Sequence, residues 1–92
     1  MLKLKVTYFL NDKGADYFQS WFDEVLNETK KQKGFLDMEL KDSRQLSSPT
    51  VYLTFESQEL LDRWSSQSIH DELASKIEPY FLQDRKVEIQ SS

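Results

Sequence analysis

Apolar side chains recur at every second position in four stretches of the chain and at three- and four-residue spacing between them. In the first stretch Leu2, Leu4, Val6, Tyr8 and Leu10 share one face of a strand, with Lys3, Lys5, Thr7 and Phe9 on the other. Asn11-Asp12-Lys13-Gly14 is turn chemistry and ends it. A helix follows, its stripe made of Phe18, Phe22, Val25, Leu26 and Thr29 with Trp21 at the flank, and Gly34 suits the left-handed residue just past its end. Phe35 to Lys41 predicts a second strand, with Leu36, Met38 and Leu40 inward and Asp37 and Glu39 outward. Asp42 to Pro49 reads as a mobile polar loop.

The stretch Val51 to Phe81 organises the remainder. Val51, Leu53 and Phe55 alternate with Tyr52 and Thr54 as a third strand, and Ser57 is placed to cap a helix carrying Leu60, Leu61 and Trp64. The polar break Ser65-Ser66-Gln67-Ser68 lets Ser68 cap a second helix, with Leu73, Ile77 and Phe81 on its stripe and His70 in its first turn. Pro79 predicts a kink or an early stop. Val87 and Ile89 mark a short final strand after Gln83-Asp84-Arg85. The order strand, helix, strand, strand, helix pair, strand is satisfied by a ferredoxin-like α+β fold, helices packed on one face of a four-stranded antiparallel sheet.

Composition narrows the function. Ninety-two residues fit one domain, residues 1–92. A formal net charge of −4 repels phosphate backbones and anionic membrane surfaces, so neither nucleic acid nor membrane is an expected partner. The basic run Lys30-Lys31-Gln32-Lys33 fits the last turn of the first helix, where cations offset the dipole. Without cysteine there are no disulfides, thiolate metal sites or Cys nucleophiles, and one histidine leaves at most a single axial ligand; no metal and no cofactor are expected. Met1-Leu2-Lys3-Leu4-Lys5 lacks the apolar run of a signal peptide and nothing approaches membrane-spanning length, so a cytoplasmic protein is expected. On the far sheet face Thr7, Phe9, Phe35, Tyr52 and Thr54 sit among Lys3, Lys5, Asp37, Glu39, Lys86 and Glu88, a mixture that suits two copies packing face to face as a homodimer.

Phe55-Glu56-Ser57, then Leu60, Trp64, Ser68, His70 and Leu73, resembles the antibiotic biosynthesis monooxygenase family, as do Gly34-Phe35 opening the second strand and Gly14 ahead of the first helix. The resemblance implies a dimeric α+β barrel with a ligand cavity between the helices and the sheet of each subunit. It also implies one of several activities. Some members are cofactor-independent oxygenases acting on quinols and related electron-rich aromatics, others degrade haem, and some have no known activity. The haem degraders use an asparagine on the first strand and a histidine more distant from the tryptophan. Leu2 to Leu10 contains no asparagine, and Trp64 and His70 stand closer together, so the haem pattern is not matched.

An oxygenase without metal or flavin needs a substrate that gives an electron to dioxygen once deprotonated, together with a base, a dry pocket and polarising groups. His70 is the candidate base, since an imidazole titrates near neutrality. Trp64 is the candidate to stack on an aromatic substrate or donate its indole N–H, and Tyr8 to line the pocket. The plain alternatives are a helix-start histidine, a core tryptophan and an ordinary buried tyrosine. Two functions stand: a monooxygenase taking a small aromatic molecule and dioxygen, or a non-catalytic small-ligand-binding or interaction module of the same fold.

Overall fold

The computed structural model describes residues 1–41 and 48–91. Strand β1 (Leu2–Leu10) leads into helix α1 (Asp12–Thr29), then β2 (Phe35–Lys41), β3 (Thr50–Phe55), α2 (Gln58–Ser65), α3 (Ser68–Ile77), a 3₁₀ turn (Glu78–Tyr80) and β4 (Phe81–Ser91). The strands form one antiparallel sheet in the order β2-β3-β1-β4. The ferredoxin-like α+β expectation is met. Asp42 to Ser47, the greater part of the expected mobile loop, lies outside the described residues.

The period-2 pattern does what it predicts in β1 and β3. Tyr8, Leu10, Val51 and Phe55 are buried against the helices, while Tyr52 on the opposite face is flanked by the ammonium groups of Lys3 and Lys41 at 5.7 and 5.1 Å. From the helices, Phe18, Trp21, Phe22, Val25, Leu61, Trp64, Leu73 and Ile77 complete the core. Trp21 is central to it rather than flanking. Its indole N–H donates to the Leu73 carbonyl at 2.7 Å and ties α1 to α3. Tyr8 packs among Phe18, Trp21 and Phe81, with ring centroids 5.2, 5.5 and 6.0 Å away.

Several boundaries differ from the sequence reading, each for a local reason. Asn11 is the N-cap of α1, its side chain accepting from the Gly14 N–H at 2.8 Å, so the apparent turn is the first helical turn. That turn is also docked on the 3₁₀ segment, because the Asn11 N–H donates to the Tyr80 carbonyl at 2.9 Å. Helix α1 ends at Thr29, and the basic run lies in the turns beyond it. The α3 cap is Gln67, with no side-chain hydrogen bond, and Ser68 is the first helical residue. Ile77 closes α3, Pro79 sits in the 3₁₀ turn, and Phe81 opens β4 instead of extending the helix. The last strand is long, 11 residues, because β1 offers it a partner along its whole length.

In β2 a register shift between Phe35 and Asp37 displaces the alternation by one residue. Phe35 therefore meets Phe55 edge-on at 6.2 Å on the helix side, and Leu36, expected inside, is 44% exposed. The start of β2 is fixed by Gly34, whose φ of 91° is open to few side chains. A Cβ there would also come within 2.5 Å of the Leu60 side chain. We therefore expect Gly34→Ala to cost about 1–3 kcal/mol, read as a lower urea midpoint with an unchanged slope. An unchanged midpoint would show that the Gly34–Leu60 contact places no constraint on the fold.

Candidate functional site

Between the helical layer and the sheet lies a cavity of about 210 Å³. Leu4, Val6, Tyr8, Val51 and Leu53 form its floor, Trp21, Val25 and Thr29 of α1 one wall, and Leu61, Trp64, Leu73 and Ile77 the other. It reaches the surface past Asp62, Ser65, Arg85 and Val87, all of them exposed. An engineered apolar cavity of ~150 Å³ accepts benzene. On that scale the space has room for one or two aromatic rings.

The three candidates named from the sequence, Tyr8 on β1, Trp64 on α2 and His70 on α3, come together on this one cavity. Trp64 is buried, and the His70 ring stands perpendicular to it, 90° between planes and 5.3 Å between centroids. The polar break between α2 and α3 creates this juxtaposition. It lets the chain turn after Ser65 so that the first turn of α3 returns beside the last turn of α2. Gln67 in the break donates to the Gln32 side chain at 2.7 Å, holding it against the turn that follows α1.

His70 Nδ1 is out of contact with solvent and makes no hydrogen bond. The Asp71 carboxylate, 3.9 Å away, is too distant to accept one. Burial, aided by the positive charge of Arg85, lowers the His70 pKa from its ordinary 6.5, with Asp71 working weakly against them. The imidazole is therefore neutral at pH 7, the state a base requires. Burial pushes the Tyr8 phenol up to about 12 although Arg85 opposes the shift, so its hydroxyl remains a donor.

Two lining residues escaped the sequence reading. Trp21 was placed at the flank of its stripe, although its spacing of three from Phe18 and four from Val25 puts it at the centre. Arg85 was assigned to the segment ahead of the last strand. Extending the alternation of Val87 and Ile89 back by two positions would have put it on their face. The structure supplies what the pattern lacks: opposite Tyr8, β4 carries two residues, Asp84 and Arg85, where its register on β1 shifts. Among the described residues no group of three or more His, Asp or Glu side chains is arranged to hold a metal ion, and no helix is long and apolar enough to cross a membrane.

No family model matches the chain, and no curated protein matches it by sequence. Solved structures do match it in fold. An antibiotic biosynthesis monooxygenase superposes with a TM-score of 0.89 at 18% identity, over 100% of this chain and 98% of its own. SnoaB, a cofactor-independent oxygenase from Streptomyces nogalater, superposes with a TM-score of 0.85 at 13% identity, over 99% of this chain and 91% of its own. A conserved protein from Methanosarcina mazei gives 0.84 at 15% identity, over 98% of this chain and 92% of its own. The chain has the fold of the antibiotic biosynthesis monooxygenases.

The lowered His70 pKa fixes the sign of a pH effect. Above pH 6.5 the imidazole is neutral both folded and unfolded, and the stability associated with it is fully present. As the pH falls from there through the lower folded value, the unfolded chain binds a proton that the folded chain resists, and stability is lost. Melting temperatures followed from about pH 8 to about pH 5 should fall more steeply in the wild type than in His70→Gln. Parallel curves would place His70 in an ordinary solvated environment.

Proposed function

On the fold shared with the antibiotic biosynthesis monooxygenases, we propose that this protein is a cofactor-independent monooxygenase acting on a quinol or related electron-rich aromatic molecule. One observation carries the reading. A neutral imidazole, an indole and a protonated phenol converge on a single apolar cavity sized for one or two rings. His70 takes the phenolic proton of the substrate, and the ring, now an anion, transfers an electron to dioxygen. The two radicals combine as a peroxide at a ring carbon, His70 returns its proton, and loss of water leaves a quinone. Phenol and dioxygen thus give quinone and water without an external reductant. Trp64 supplies an aromatic face, and Tyr8 a hydrogen-bond donor to the anion.

The other reading, a binding module without turnover, is favoured by the unengaged Nδ1 of His70. A catalytic imidazole is ordinarily oriented by a hydrogen bond to its second nitrogen. The test is oxygen uptake with reduced quinols and phenols, corrected for autoxidation and repeated with a chelator. We expect saturable uptake that falls about 10²–10⁴-fold in His70→Ala, with the melting temperature held within a few degrees. No uptake across the panel favours the binding module. Uptake undiminished by the substitution keeps the enzyme and removes His70 as its base.

The same reading includes assembly as a homodimer through the outer sheet face, supported by the half-buried Phe9 and Tyr52 among charges of both signs. Sedimentation at micromolar concentration should give twice the mass of one chain. The mass of a single chain would end that part of the proposal.

A further inference from the structure

The polar groups that reach the cavity are unevenly matched. Tyr8 is only 8% exposed, and its hydroxyl has no protein partner among the described residues. The Trp64 indole N–H has none either, whereas the Trp21 N–H is occupied by the Leu73 carbonyl. Arg85 reaches the same cavity from β4 and forms no ion pair among the described residues, although the adjacent Lys86 holds Glu88 at 3.1 Å. Each of these three is a donor. The one carboxylate at the rim, Asp62, is exposed and accepts the Gln58 amide at 2.8 Å, within α2.

A set of unpaired donors, one of them a cation, around an apolar space is complementary to an anion with an apolar body. A guanidinium presents parallel N–H groups in a planar fork that matches a carboxylate. A phosphate dianion, with more charge and more acceptor oxygens, would meet one cation here and be repelled by Asp62. We propose that the ligand of this cavity is an aromatic carboxylic acid of one or two rings, and that Arg85 at the mouth selects for its carboxylate. This deepens the oxygenase reading by naming its substrate class. The ring lies in the apolar part beside Trp64, and the acid group faces the opening, away from any hydroxyl that His70 deprotonates.

The experiment is calorimetric titration of the full chain with naphthoate and with its uncharged methyl ester, neither of which carries an oxidisable hydroxyl. Wild type should bind the acid at least tenfold more tightly than the ester, and the ratio should shrink as salt is added. In Arg85→Met, which keeps much of the apolar stem, the ratio should fall to about one, and Arg85→Lys should restore part of it. Equal affinity of wild type for acid and ester overturns the proposal. So does an acid preference that survives in Arg85→Met, or no binding of either compound. Arg85 is exposed on its strand, and circular dichroism of each variant checks that the fold is retained. Binding is read without turnover, so a protein that never consumes dioxygen can still show the preference. An oxygenase of neutral quinols that lacks it fails only the carboxylate assignment.

Discussion

One buried hydrogen bond, from the Trp21 indole to the Leu73 carbonyl, joins two walls of the cavity and fixes the indole ring between them. Protein interiors pack to the density of organic crystals, and a void survives only where its walls cannot relax into it. Trp21 is the largest side chain of α1 on this wall. Its N–H is committed to a carbonyl on α3, and moving the ring would leave that buried N–H without its partner, a cost of about 1–3 kcal/mol. Tyr8, against the edge of the same indole, is confined in turn by Phe18 and Phe81. The rings brace one another, so the fold keeps an apolar space where a small domain would ordinarily close it.

The fold was legible where a simple period was sustained. Leu2 to Leu10 and Val51 to Phe55 alternate without interruption, and both bury the expected faces. The reading failed where the sheet departs from its own period. Phe35 and Leu36 exchanged faces because a one-residue register shift inverts every side chain up to the shift, and nothing in the residues Phe35-Leu36-Asp37 announces it. In β4 the strand begins well before Val87 and Ile89, and that extent has its own consequence for function. Arg85 reads as one charge in a polar segment until its pairing with β1 is known. Tyr8, Trp64 and His70 were legible as candidates because of their chemistry, and their convergence followed from element order. Which hydrogen-bonding groups remain free depends on tertiary contacts, and no spacing records that Trp21 uses its N–H while Trp64 does not.

The electrostatics of the proposed chemistry turn on how the groups around the cavity act on the two partners of a proton transfer. His70 carries no charge before the transfer and a positive one after it, and both burial and the Arg85 guanidinium disfavour the charged form. Taken alone, that weakens the base. The substrate hydroxyl, however, becomes an oxyanion in the same step, within reach of the donors on Tyr8 and Trp64. Interactions that strengthen only as charge develops lower the barrier, whereas those present throughout do not. The arrangement therefore puts its stabilisation on the anion and leaves the imidazolium with little, apart from the distant Asp71 carboxylate. A proton held so weakly is readily returned to a peroxide, the second task the reaction sets for the same residue. A firm carboxylate partner at Nδ1 would orient the ring but would also hold the proton back, so the unengaged nitrogen that favours a binding module is not by itself an obstacle to the proposed proton return.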